Sequence, residues 1–186
     1  MKCKLPNLRR GMRYGPSVNF VQDTLVACVY RMCDKLQDKA WVKMADTIHE
    51  RKDHTGEVIA DSLLLIGGSG YPGPGSTELM KVTGGSVAGF DLDPSLAYHC
   101  SVKLNANTIV VSGGVKRESL VREYSGIGGQ VRTRALPDML TRRRNHACGQ
   151  YTTGETQVMA ALGPCWSLAQ SVTDCYCSDD HCGRRV

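Results

Sequence analysis

Three histidines recur at near-even intervals. His54, His99 and His146 each stand at the head of a stretch with strand-like character. A ring of imidazoles could ligate a metal. Repeated positions more often serve as caps, each histidine hydrogen-bonding the neighbouring backbone, and that reading is adopted here, with no metal assigned. Nine cysteines form the second set. Cys28 and Cys33 flank a turn between neighbouring strands, within disulfide range if the protein is exported. Cys100 and Cys148 take equivalent places in consecutive units and are expected to be free thiols packed as small hydrophobes. Near the C-terminus, Cys165, Cys175, Cys177, His181 and Cys182 could supply zinc ligands. The tightest spacing there is Cys175-x-Cys177, which lacks the paired C-x-x-C of a structural zinc site.

Nothing in the sequence pairs a nucleophile with a base. No nucleophile elbow, Walker loop or paired-carboxylate motif is present. Gly67-Gly68-Ser69-Gly70 follows a strand and resembles a phosphate loop, but no helix follows it to hold a phosphate at its N-terminus. The expectation is a non-enzyme without catalytic residues or cofactor.

The 186 residues carry a formal charge of +5, densest at Arg142-Arg143-Arg144. No aromatic platform flanks that run, so it reads as a solvated loop and not as a nucleic-acid site. No window approaches the roughly 18 consecutive apolar residues of a membrane span. Residues 1–10 lack the apolar core of a signal peptide, which taken literally suggests a cytoplasmic product. The cysteine content would suit an extracellular parent, so the compartment stays open.

The elements that must position these residues are repeated strands. Asp61-Ser62-Leu63-Leu64-Leu65-Ile66-Gly67-Gly68 and Asn107-Thr108-Ile109-Val110-Val111-Ser112-Gly113-Gly114 share one form, their glycine pairs 46 positions apart. Four aliphatics in the first and three in the second, between turn signals, suggest a strand buried on both faces. Asp23 to Tyr30 gives a partial copy, with Val29-Tyr30 in place of the glycines, and Gln157 to Gly163 another. Each period holds four short strands without a helix between them, which points to an all-β propeller-like array over residues 5–163. In the first unit the short strands are Cys33–Leu36 and Ala40–Met44. Residues 164–186 break the pattern as a Cys-rich, irregular tail, through a genuine cap or a shift of frame or splicing.

An apolar strand ending in Gly-Gly, an aromatic or hydroxyl residue on the next strand, a tryptophan on the one after and then Arg-x-x-His resembles the kelch repeat. Gly67, Gly68, Gly113 and Gly114 match its diglycines, Tyr124 its tyrosine, Trp41 its tryptophan, and Arg51 with His54 its closing element. Units two and three depart from the pattern, with Phe90 or no aromatic where the tryptophan belongs. The resemblance implies a partial kelch-type β-propeller of about three to four four-stranded blades in an incomplete ring. It also implies a non-catalytic protein–protein interaction module, a fragment of a larger propeller, marginally stable alone. Its partner would bind through the blade-connecting loops Ser69–Ser76 and Val115–Ser119. The alternative is a fragment of an extracellular propeller with a galactose-oxidase-like or glycan-binding role, although the Tyr and His set of the copper oxidases cannot be assembled here.

Overall fold

The computed structural model describes Leu8 and residues 16–70, 75–93, 96–153 and 156–162, with backbone alone from 150 onward. Among the described residues every regular element is a strand, and every pairing is antiparallel. β1 (Ser17–Val21), β2 (Thr24–Gln37) and β3 (Ala40–Arg51) form one sheet. β4 (Thr55–Ile59), β5 (Ser62–Ile66), β6 (Ser76–Lys81) and β7 (Ser86–Asp91) form the second. β8 (Cys100–Asn105), β9 (Thr108–Ser112), β10 (Val121–Ser125) and β11 (Arg132–Ala135) form the third, and β12 (Ala147–Thr153) pairs with β13 (Thr156–Leu162). Strands adjacent in sequence are adjacent in each sheet, so each sheet is a meander. The tail, residues 164–186, lies outside the described residues.

Successive side chains on a strand point to opposite faces, which explains the unbroken aliphatic runs. On β5, Leu63 and Leu65 pack with Val21, Val26, Cys28, Cys33 and Met80. Leu64 and Ile66 point the other way and pack with Ile109, Val111 and Tyr124 of the third sheet. β5 therefore lies between two layers and needs an apolar residue at every place. β9 repeats this, with Ile109 and Val111 towards the second sheet and Val110 packed with Val102 and Val121. Each fully buried Leu, Ile or Val contributes roughly 1.5–3 kcal/mol. The first strands also meet in order, β1 against β4, β4 against β8 and β8 against β12.

The first sheet differs from expectation. In place of two strands, Asp23–Tyr30 and Cys33–Leu36, one hydrogen-bonded run of 14 residues forms β2. It nevertheless doubles back. Five extended residues would span about 16 Å, yet the Cα atoms of Cys28 and Cys33 are 4.2 Å apart. The bend falls at Tyr30, whose φ is +55°, and the register with β3 slips beside it. β3 likewise runs past Met44 to Arg51. The turn into it matches the expected Gln37-Asp38-Lys39, with Asp38 and Lys39 at φ +49° and +62°, the signature of a two-residue hairpin.

The registers align the units. Ser17 stands opposite Cys28, Thr55 opposite Ile66, and Cys100 opposite Ser112. The two residues that follow are Val29-Tyr30, Gly67-Gly68 and Gly113-Gly114.

Candidate functional site

Each histidine stands immediately before the first strand of its sheet. The preceding residue, Asp53, Tyr98 or Asn145, takes a left-handed φ of +53°, +56° or +52°. These kinks link sheet to sheet, since Tyr98 N donates to Asp53 O at 3.1 Å and Asn145 N to Tyr98 O at 2.9 Å. The imidazoles reach back to the preceding sheet. His54 Nε2 is 2.9 Å from Ser17 Oγ, His99 Nε2 is 3.0 Å from Thr55 Oγ1, and His146 Nε2 is 3.2 Å from Ser112 Oγ.

The glycine pairs are the notches that receive these histidines. A Cβ on Gly67 would run into the Leu96 carbonyl and the His99 ring, and one on Gly113 into the Arg143 carbonyl and the His146 ring. Gly68 and Gly114 are pressed on the histidine of their own sheet, where a Cβ would come 3.0 Å from His54 Cβ and His99 Cβ. Their amides donate across the joint, Gly68 N to Leu96 O at 2.8 Å and Gly114 N to Arg143 O at 3.0 Å. Resemblance to a phosphate loop has no counterpart here, because these amides already have protein acceptors.

Burial holds the histidines neutral. It lowers His54 from 6.5 to about 4, helped by the Arg51 charge, and His99 to about 3, where protonation would also be opposed by any proton on the nearby His54 or His146. His146 is lowered for the same first reason, with Arg143 adding to it. A folded value below the unfolded one means that the unfolded chain binds more protons between the two. Stability is thus intact above about pH 6.5 and falls as pH drops towards 4, by on the order of 3 kcal/mol for His54 alone. Urea midpoints are expected to hold from pH 7.5 to about 6.5 and to decline from there to pH 4.5. A flat profile would contradict the neutral, buried assignment.

Arg51, at the end of β3, is fully buried with Glu78 of β6. Its Nε donates to Glu78 Oε2 at 3.2 Å, and its Nη atoms donate to Gly67 O, Ser76 O and Ser76 Oγ at 2.9, 2.9 and 3.1 Å. Glu78 also accepts from Ile48 N at 2.7 Å and from Ser86 Oγ. Burial lowers the Arg51 pKa, and Glu78 opposes that shift. The pair fastens the first sheet to the second. Tyr124 is buried against Phe90, ring centroids 5.2 Å apart, and Trp41 packs half-buried against the cluster of Ala27 and Val29. Glu78 escaped the sequence reading, because a carboxylate in the alternating run Thr77–Lys81 reads as an outward-facing strand residue.

The cysteines bring a correction. Cys28 and Cys33 are joined by a disulfide, and Cys100 and Cys148, expected as free thiols in equivalent places, are joined as well. They are not equivalent. Cys100 follows His99 directly, whereas Cys148 lies two places beyond His146. That offset, on the adjoining strands β8 and β12, sets their Cα atoms 5.9 Å apart.

Of the two loops singled out, residues 71–74 of Ser69–Ser76 lie outside the described residues. Val115–Ser119 borders a solvent-open hollow of about 320 Å³ lined by Lys116, Arg117, Glu118, Ser119 and Arg142. Backbone bonds hold the hollow's wall, with Arg143 N donating to Glu118 O and Met139 N to Ser119 O. Among the described residues no carboxylate pairs with Lys116, Arg117 or Arg142.

No protein-family model matches the chain. No curated protein matches it either. Among solved structures it is similar to that of YjhT, with a TM-score of 0.56 at 10% identity over 73% of this chain and 51% of that one. The chain thus spans about half the length of YjhT, and at that identity the likeness is one of fold alone.

Proposed function

We propose that the chain is a non-catalytic interaction module, a run of kelch-type propeller blades that binds a protein partner through its loops. The observation that carries this reading is a division of labour. His54, His99, His146, Arg51 and Glu78 are all buried in contacts between sheets, so these ionisable groups serve architecture. The cationic hollow behind the second diglycine is open to solvent and held by a rigid β scaffold, where recognition residues usually sit. Its charge suits an acidic segment. The ordered contacts of β1, β4, β8 and β12 support a radial arrangement of blades. Val18 and Phe20, 51% and 61% exposed on β1, support an open flank that further blades of a longer protein would cover.

Reversing the hollow's charge with K116E, R117E and R142E is expected to abolish retention of acidic partners captured by the immobilised wild-type chain, with an unchanged melting temperature. Capture of the same partners by the reversed chain would sink the proposal.

The second reading, an extracellular propeller of glycan-binding or galactose-oxidase-like kind, draws on the two disulfides, which belong to oxidising compartments. Glycan-array binding that survives the charge reversal would favour it.

A further inference from the structure

The third joint breaks the rule of the first two. There the histidine Nε2 meets a hydroxyl on the residue that opens the preceding sheet's first strand, Ser17 or Thr55. The corresponding residue of the third sheet is Cys100, a sulfur in place of a hydroxyl. Cys148 arrives at the same spot from β12. The ligand-capable atoms of Cys100, His146 and Cys148 all lie within 4.8 Å of one another. His146 is 7% exposed, and its Nδ1 has no hydrogen-bond partner. Ser112 Oγ stands beside them, 3.2 Å from His146 Nε2 and 3.7 Å from Cys148 Sγ. Two sulfurs, an imidazole and an adjacent hydroxyl are a donor set suited to a four-coordinate soft cation. Among the described residues no such cluster surrounds Cys28 and Cys33.

We propose that Cys100, His146 and Cys148 form a redox-gated site for a zinc-type divalent cation. The disulfide closes the site, because its sulfurs are not thiolates. Opening it takes two electrons and two protons from a small dithiol, which is itself oxidised to a disulfide, and yields two thiols on the protein. The incoming dication then displaces both thiol protons to solvent and binds two thiolates and the imidazole. The fourth position falls to the Ser112 hydroxyl or a water. Reoxidation by a small-molecule disulfide, itself reduced to the dithiol as it takes up the two electrons and, from solvent, two protons, re-forms the protein's sulfur–sulfur bond and releases the ion.

The test uses the full chain, reduced with a phosphine and alkylated with iodoacetamide, with and without one equivalent of zinc. Labelling is followed at each cysteine by mass spectrometry. Zinc is expected to slow labelling at Cys100 and Cys148 by about tenfold or more, to leave Cys28 and Cys33 unchanged, and to lose its effect on adding a chelator. H146Q keeps both thiols and is expected to lose the protection. Because the tail also carries thiols, a C165S/C175S/C177S/C182S chain must retain it. Equal labelling of Cys100 and Cys148 with and without zinc overturns the proposal, as does protection shared equally by Cys28 and Cys33 or undiminished in H146Q.

Discussion

Replacing Arg51 with methionine is expected to destabilise the protein by roughly 3–5 kcal/mol, the usual penalty for removing one partner of a buried ion pair. Methionine fills much of the same volume, so the loss comes chiefly from polar groups left behind. The Glu78 carboxylate would stay fully buried without its cation, and Gly67 O, Ser76 O and Ser76 Oγ would each lose a donor. A protein of this length loses about 2–4 °C of melting temperature per kcal/mol. The drop should therefore approach or exceed about 10 °C. Adding E78Q to R51M separates charge from packing. Glutamine can still accept from Ile48 N through its amide oxygen, so the double variant is expected to recover part of the loss. A coupling near zero in that cycle would mean that Arg51 and Glu78 do not form the buried pair.

Gly113→Ala carries the second large effect. The position has φ +62°, which costs an alanine about 1–2 kcal/mol by itself. The new Cβ would also lie 2.5 Å from Arg143 O and 2.6 Å from His146 Cε1, one a backbone atom and the other part of a buried ring. Neither can yield without moving the next sheet. Strain and overpacking together are expected to remove roughly 3 kcal/mol or more. Gly129→Ala is the matched control. It belongs to the other kind of glycine pair, is not in the left-handed set, and a Cβ there meets nothing nearer than Gly126 O at 3.7 Å. Melting curves should separate the two by several degrees. Equal effects would mean that the diglycine is an ordinary turn and not a notch between sheets.

The notch was legible in the sequence because it is written twice in one form. Leu63–Ile66 and Ile109–Val111 betrayed burial on both faces because no polar residue interrupts them. The histidines were legible as a repeated position, but backbone caps were expected and the structure instead bonds each to a side-chain hydroxyl of the preceding sheet, Ser17, Thr55 or Ser112, which the sequence did not reveal. Those contacts join residues 34 to 44 positions apart, and no local pattern encodes them. The same holds for Glu78, whose partner Arg51 lies on another sheet. The cysteines misled for a different reason. Cys100 and Cys148 are 48 positions apart, while His99 and His146 are 47. On a strand a slip of one residue exchanges the faces, so places that look equivalent by count are not equivalent in register. In the first unit, Val29-Tyr30 replaces the glycines, and the chain bends at Tyr30 within a single long strand instead of ending one strand and starting another.

The pattern of joints carries the functional reading as well as the fold. If the buried ionisable groups are fasteners, recognition falls to the loops they hold in place, and the Lys116–Arg117–Arg142 hollow is the first surface to test. The claim beneath this is that His99 and His146 each cross from their own sheet into the glycine notch of the preceding one. Through-space proton contacts in solution measure it directly. Cross-peaks are predicted between the His99 ring Hε1 and the Gly67 Hα protons, and between the His146 ring Hε1 and the Gly113 Hα protons. Their absence, in a sample whose β4–β5 and β8–β9 cross-strand contacts are present, would contradict the account.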